Sequence, residues 1–354
     1  MDCVVPLVAT FSISFIAIKL IKPLAVKVGL VDLPNERKLH VGAIPLIGGI
    51  SIFIGVLMAS MFFIEHSQTF NIYLISSALI LFLGVLDDKY DLSVKLRMTA
   101  QILVASLMIF GAGFYLKTFG YILGNIEFFL GPVGVLVTIV AVIGAINAFN
   151  MVDGIDGLAG MLSLVTFTAL AFLFSRVNND WYLLPVLFIA ALIAYLMFNL
   201  SWPKNFGKIF MGDAGSMLIG LTVVWLLVVG VSEDVNAFRP VTALYLIAIP
   251  LMDMAAIMYR RIRKGVSPFK ADRDHLHHIF ERAGFNRRQT LIIIALLGTL
   301  IAGVGCFLEI YMISEFIMFI IFISMFVIYA YALSHVWQLL IWLRKNNFIS
   351  KSSV

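Results

Sequence analysis

Val133-Gly-Val-Leu-Val-Thr-Ile-Val-Ala-Val-Ile-Gly-Ala-Ile-Asn147-Ala-Phe-Asn150-Met-Val-Asp153-Gly-Ile-Asp156-Gly157 passes from a charge-free apolar run into four oxygen-bearing side chains spaced three apart. The first part decides the fold. A helix needs about 20 apolar residues to cross the hydrocarbon core of a bilayer, and the stretch 132–151 supplies them. The second part bears on function. Residues three apart share one face of a helix, so on a continuing helix Asn147, Asn150, Asp153 and Asp156 would form a slowly drifting polar stripe. The glycines after it permit a tight exit and a close backbone approach. Capping amides at a helix end do not account for four such groups in register.

The apolar pattern recurs along the chain. Candidate spans fall at 4–22, 44–64, 70–86, 99–116, 132–151, 159–175, 182–200, 214–231, 241–258, 290–309 and 316–336. This predicts an all-α integral membrane protein of one domain, with about 11 transmembrane helices. Composition agrees: 62% of the residues are hydrophobic and 13% charged, against about 45–50% and about 25% in soluble domains. Mean hydropathy is +1.03.

Numbering the gaps alternately gives two classes of loop. Of the 25 Lys and Arg residues, Lys117, Arg176 and Arg239 are the only ones in the second class, and Lys19 lies just before the first basic gap. Basic short loops mark the cytoplasmic face. The loops at about 23–43, 87–98, 152–158, 201–213 and 259–289 are therefore expected inside, with the N-terminus outside and the C-terminus cytoplasmic. Arg344, Lys345 and Lys351 fit that orientation. The first span lacks a positive n-region and a small-residue cleavage site, so it reads as a retained helix. The net charge of +5 suits anionic membrane lipids or an anionic substrate. Nucleic acid is excluded as a partner, because no soluble module remains to bind it. Cys3 and Cys306 lack metal-ligand spacing.

The acids and histidines gather on the same expected face. Asp87-Asp88 follows directly on an apolar run; adjacent carboxylates repel, and two where one would end a helix suggest a site that manages a cation or proton. Phe210-Met-Gly-Asp213-Ala-Gly-Ser216 precedes the eighth span, where Asp213 is placed either to N-cap the helix or to hold a metal facing phosphate. The 31-residue gap 259–289 opens with Arg260-Arg261-Ile-Arg263-Lys264, an anchor at the headgroups or a seat for an anion. His275-Leu-His277-His278 lacks zincin spacing and a nearby cysteine; among arginines, it suits phosphate contacts or proton transfer better.

Hard oxygen ligands favour Mg²⁺ or Mn²⁺ over Zn²⁺. Acids, cations and histidines at one membrane surface suit metal-assisted phosphoryl transfer. An acceptor that is itself a lipid explains why the active site needs so many helices, since each buried CH₂ adds about 0.8 kcal/mol. A transporter is the rival reading, because intramembrane acids often mark ion paths. It would place polar groups near the midplane, whereas here the central thirds of the spans are nearly free of charge. A flippase would need polar groups through the bilayer depth, and a non-catalytic envelope partner would not need the Asp, Asn and His set.

In this order the motifs resemble those of the polyprenyl-phosphate N-acetylhexosamine-1-phosphate transferases. The resemblance runs from Gly29-Leu-Val-Asp32-Leu-Pro34-Asn35 and Pro45-Leu-Ile-Gly48-Gly49, through the blocks above and Pro250-Leu-Met-Asp253, to Arg282-Ala-Gly-Phe285. It implies transfer of GlcNAc-1-phosphate from UDP-GlcNAc to undecaprenyl phosphate in the bacterial inner membrane. It makes Asp213 and Asn150 ligands of Mg²⁺ (or Mn²⁺). Asp87 and Asp88 would activate or orient the lipid phosphate, and Asp153 and Asp156 would lie by the nucleotide or metal. Asn147 belongs with the substrate-binding set and Phe210 beside the uracil. Arg260, Arg261, Arg263 and Lys264 would seat the nucleotide sugar, and His275, His277 and His278 would contact the diphosphate or sugar. The peptidoglycan branch of the family carries three consecutive histidines. His-Leu-His-His here argues against a muramyl-pentapeptide donor and leaves the roles of Arg37, Lys38 and His40 open. Small residues in spans two and eight serve to pack helices within one chain or between the chains of a homodimer.

Overall fold

A computed structural model describes residues 3–34, 42–204, 206–267 and 275–335. Asn35, Arg37, Lys38, His40, Arg344, Lys345 and Lys351 lie outside the described residues. The helices are α1 (Val4–Val28), α2 (Gly48–Phe63), α3 (Gln68–Tyr90), α4 (Val94–Ser106, prolonged by a π-helical turn over Leu107–Gly111), α5 (Val133–Val152), α6 (Leu158–Arg176), α7 (Leu183–Asn199), α8 (Gly212–Val231), α9 (Pro240–Leu246), α10 (Ala248–Arg263), α11 (Leu276–Arg282), α12 (Arg287–Ile310) and α13 (Glu315–Ser334). Among the described residues the only sheet pairs β1 (Val31–Asp32) with β2 (Ile44–Pro45), antiparallel. The all-α membrane class expected from the sequence is the one observed.

Each of the eleven expected spans overlaps a helix, although 44–45 lies in the sheet, 112–116 is not helical and 336 is outside the described residues; nine helices among the described residues are long and apolar enough to cross a membrane. Two spans differ from expectation. The second, α2, has 16 residues and is short for a crossing. The ninth is not one rod: α9 and α10 meet at 83°. Pro250 favours the break at this place, although a proline alone does not impose one: α1 runs unbroken through Pro23. Proline has no N–H to give to the residue four back, and its ring clashes with that carbonyl. The carbonyl so freed is that of Leu246, and it accepts the Thr166 hydroxyl at 2.8 Å instead. Ile247 turns the chain between the two helices with φ −118° and ψ 21°.

Helix α8 is the axis of the bundle. It is apolar on every side and almost wholly buried, as a helix without a polar face must be. Helices α3 and α5 flank it, with α2 against the same core. The approach of α3 is close: a Cβ on Gly84 would lie 2.3 Å from Ala214 Cα. This brings the end of α3, with Asp87 and Asp88, against the start of α8, with Asp213.

The chain direction then fixes two chemically different ends. The ends of α3 and α5 and the start of α8 lie together at the first, which also receives α11. The other end receives Arg239 before α9, Glu309 at the end of α12 and Glu315 at the start of α13.

Candidate active site

Asp87 and Asp88 are consecutive, yet they do different things. Asp87 is buried and closes the turn between α3 and α4: its Oδ1 accepts from the Leu92 N–H at 2.8 Å, and its Oδ2 pairs with Arg97 at 3.0 Å. Asp88 reaches across to α8. Its Oδ1 accepts from the Asp213 N–H at 2.7 Å and its Oδ2 from the Ala214 N–H at 3.2 Å. The first N–H groups of a helix have no partner within it. The N-terminus of α8 is therefore capped by a carboxylate from another helix rather than by Asp213. Gly212 is required here twice over: its φ is 72°, and a Cβ on it would lie 2.5 Å from Asp88 Oδ2.

Relieved of capping, Asp213 projects its side chain sideways. Its Oδ1 accepts from Asn150 Nδ2 at 2.7 Å, and the same amide donates to Ser216 Oγ at 3.0 Å. The charges of Asp87 and Asp88 also reach Asp213. Asn147, one turn before Asn150, faces elsewhere. It donates to Gln101 on α4 at 2.9 Å and to its own Ile143 carbonyl at 2.8 Å. The drifting stripe expected from the three-residue spacing does not form, because α5 ends at Val152 and the glycine-rich turn redirects Asp153 and Asp156.

Asp153 feels the charges of Asp213 and Asp156. Crowding by protein, then those two charges, raise its carboxyl above the ordinary carboxylate range. The side chain also reaches solvent, which screens part of that rise. Asp156 pairs with Lys208 at 2.6 Å. The same ammonium lies 5.2 Å from the centre of the Phe210 ring, within reach of a cation–π contact. Phe210 is held by backbone: its N–H donates to the Pro45 carbonyl at 2.9 Å, and its carbonyl accepts from the Gly48 N–H at 2.9 Å. The start of α2 thus fixes the strand-like approach to α8.

The histidines join this end through His277. A Cβ on Gly154 would lie 2.2 Å from the His277 ring, so the imidazole packs on the turn that carries Asp153. Burial first, then His278 and His275, press the His277 pKa down to about 3. Burial also lowers that of His278, against the opposing effect of Glu281 at 3.3 Å. His275 is held by Asp253 of α10. Arg260, Arg261, Arg263 and Lys264 form the last turn of α10 and the residue after it; Arg261 is turned inward, and Arg263 and Lys264 are exposed.

The structure therefore brings Asp87, Asp88, Asn150, Asp153, Asp156, Phe210, Asp213 and the histidines to one end, and turns Asn147 toward α4. Sequence reading missed Lys208, Arg97 and Asp253's hold on His275. Lys208 had a signal in being a cation two residues before Phe210. The pairing of Arg97 with Asp87 had one in its spacing just beyond the helix end.

The donor set has the chemistry of a hard-cation site. Asp213 offers carboxylate oxygens, and the neighbouring Asn150 amide, whose nitrogen faces Asp213 here, would offer its oxygen on turning over; among the described residues no three His, Cys, Asp or Glu side chains converge as a closed metal cage. An open shell of one or two carboxylates completed by water and phosphate is the usual habit of Mg²⁺.

Residues 70–231 match the sequence model of glycosyl transferase family 4. An undecaprenyl-phosphate alpha-N-acetylglucosaminyl 1-phosphate transferase of Pasteurella multocida is 46% identical over 343 residues, 96% of this chain and 96% of that protein. Proteins of the same name from Yersinia pestis, 44% identical over 93% of this chain and 90% of theirs, and Escherichia coli K12, 43% identical over 94% and 91%, are similar along nearly the whole length.

Proposed function

The chain belongs to glycosyl transferase family 4, and from that premise we propose that it transfers GlcNAc-1-phosphate from UDP-GlcNAc to undecaprenyl phosphate. The products are undecaprenyl-diphospho-GlcNAc and UMP, and the step initiates an envelope polysaccharide. The observation that carries this reading is identity above 40% along nine-tenths or more of both chains to proteins named for that reaction. The end of the bundle that collects Asp87, Asp88, Asp153, Asp213 and the histidines is read as cytoplasmic, and the membrane as the bacterial inner membrane.

The chemistry asks little of a base. A phosphate monoester is largely ionised near neutral pH, its second pKa being about 6. A phosphate oxygen of the lipid attacks the β-phosphorus of the donor. The bond from that phosphorus to the oxygen bridging the two phosphates breaks, and UMP leaves with the electron pair. The barrier is charge repulsion and alignment, so preorganised electrostatics dominate. Asp213 and Asn150 are assigned to hold Mg²⁺, which when bound neutralises phosphate oxygens. Asp88 fixes the start of α8 so that Asp213 keeps its aim. Asp87, locked to Arg97, holds the α3–α4 turn that carries Asp88. Asp153 and Asp156 flank the nucleotide, with Phe210 beside the uracil and Lys208 free to exchange Asp156 for a donor phosphate. Arg260, Arg261, Arg263 and Lys264, with the histidines, seat the diphosphate and sugar.

The test uses the purified full chain in detergent with undecaprenyl phosphate and radiolabelled UDP-GlcNAc, with Mg²⁺ or with EDTA. Metal-dependent entry of label into the lipid phase, matched by UMP, is the expected result. No product from UDP-GlcNAc or any other UDP-N-acetylhexosamine would end this reading.

A further inference from the structure

The ninth span breaks at Ile247, and the break aims the first turns of α10 at α11. Asp253 lies there, 1% exposed. A buried carboxylate is costly unless its oxygens are satisfied, and this one takes three donors. Its Oδ2 lies 3.0 Å from His275 Nδ1. Its Oδ1 accepts from the Leu276 N–H at 3.1 Å and from the Tyr329 hydroxyl at 2.6 Å. A carboxylate facing Nδ1 makes that nitrogen the N–H donor, so the lone pair or second proton belongs to Nε2.

The three histidines are not equivalent. His277 is packed on Gly154 and has a buried Nε2 without a hydrogen-bond partner. His278 meets Glu281, whose side chain is 28% exposed. His275 alone of the three has a buried carboxylate on its ring nitrogen.

Helix α13 supplies the third donor. It is the least buried of the long apolar helices. At the opposite end it is tied down by Arg239, which donates to the Ile313 carbonyl at 2.7 Å just before it, and by Tyr245, whose hydroxyl donates to the Met318 carbonyl at 2.6 Å. At this end the Tyr329 hydroxyl ties it to Asp253. A mostly exposed helix thus delivers a hydroxyl to that carboxylate.

Resting on the function proposed above, we propose that Asp253 and Tyr329 are positioning residues for His275: they hold its Nδ1–H and present Nε2 to the diphosphate of the nucleotide sugar. Neither touches the substrate. Asp253 orients the ring so that Nε2, when it carries a proton, donates to a phosphate oxygen, and Tyr329 fixes the rotamer of Asp253. In Asp253→Asn the amide N–H₂ faces Nδ1 whenever the amide oxygen keeps Leu276 and Tyr329, which imposes the opposite tautomer.

Steady-state kinetics on the purified full chain tests this with Asp253→Asn, Tyr329→Phe, His275→Ala and the double variant Asp253→Asn/His275→Ala. Asp253→Asn is expected to lower kcat/KM for UDP-GlcNAc about 10–100-fold, the range for a group that orients a functional histidine. Tyr329→Phe, which removes one hydroxyl and keeps the ring, is expected to lower it about threefold to tenfold. KM for undecaprenyl phosphate stays unchanged in both. The double variant matches His275→Ala within about twofold, because two residues acting through one group are not additive. Losses that multiply in the double variant, or that fall equally on both substrates together with a lower Tm, would show a merely structural role and overturn the proposal. So would wild-type kcat/KM in Tyr329→Phe and Asp253→Asn. An active wild type with such variants sinks this inference alone; an inactive wild type sinks the function first and this donor contact with it.

Discussion

The two ends of the bundle both bury acids, but they use them in opposite ways. At the end away from the candidate site, Arg239 pairs with Glu309 at 3.0 Å and spends its remaining donors on the Ile313 and Leu308 carbonyls. Glu309 also accepts from the Thr242 hydroxyl. This network ties α9, α12 and the start of α13 together. At the site end, Asp87 has Arg97 and Asp156 has Lys208. Among the described residues, however, Asp88, Asp153 and Asp213 belong to no ion pair. They are held by N–H groups or stand near other acids. Asp213, proposed above to hold a cation, is one of the acids left without an ion pair of its own.

Removing one partner from the Arg239 network is expected to give the largest effect of all. Arg239→Met leaves the Glu309 carboxylate buried and uncompensated, which costs about 3–5 kcal/mol. Activity per folded molecule should be unchanged. Adding Glu309→Gln to Arg239→Met should restore most of the stability, since replacing both partners of a buried pair is often near neutral. Melting in detergent, followed together with UMP release, separates the two quantities. A normal Tm in Arg239→Met would dissolve the contrast between the ends.

At the site end the same kind of substitution should act on rate instead. Asp213→Asn keeps shape and hydrogen bonding to Asn150 while removing the charge, and is expected to lower kcat about 10²–10³-fold, the magnitude of losing one preorganised electrostatic contact. Asp87→Asn and Asp88→Asn should each lose less, because their charges act through Arg97 and through the start of α8. Initial rates at equal protein levels rank the three; a fully active Asp213→Asn would end the metal assignment.

Lys208 tests the border between the two kinds of charge. It is paired with Asp156, yet both side chains are 28% exposed, so the pair itself contributes little to stability. Lys208→Met is expected to raise KM for UDP-GlcNAc about tenfold, the loss of one charge-assisted hydrogen bond to phosphate. KM for undecaprenyl phosphate and Tm should not move. An unchanged donor KM would return Lys208 to the structural side.

How legible these ends were depended on sequence distance. Apolar runs of about 20 residues carry their own meaning, so each span expected from the sequence overlaps a helix. The polar blocks were readable because each sits at a span end, and topology alone gathers alternate span ends on one side. The 241–258 run reads as one crossing by hydropathy, and Pro250 allows a break there without requiring one, since Pro23 lies inside the unbroken α1. Arg239 stood out as a stray cation, but its partner Glu309 lies 70 residues on, and nothing local pairs them. Asp88 as the cap of α8 is a contact across 125 residues. Tyr329 has no sequence signal, being one hydroxyl in an apolar run. The three-residue spacing of Asn147, Asn150, Asp153 and Asp156 misled by assuming that the helix continued, where Gly154 and Gly157 ended it.

The smallest effect expected is on the pH dependence of stability, and it comes from a site-end group that is neutral. His277 is buried against Gly154, and its pKa lies at about 3 in the folded chain, whereas an unperturbed histidine titrates at about 6.5. Between those values the unfolded chain binds a proton that the folded chain refuses. Stability therefore falls as pH is lowered from about 6.5 toward 3, and above about 6.5 this histidine makes no difference because both states are neutral. Tm measured in detergent between pH 7.5 and 5 should decline on the acid side, and His277→Gln, which cannot take up a proton, should decline less steeply. Acid titration of the carboxylates appears in both proteins and cancels in the comparison. Identical slopes would mean that water reaches the His277 ring, and with it the turn that carries Asp153.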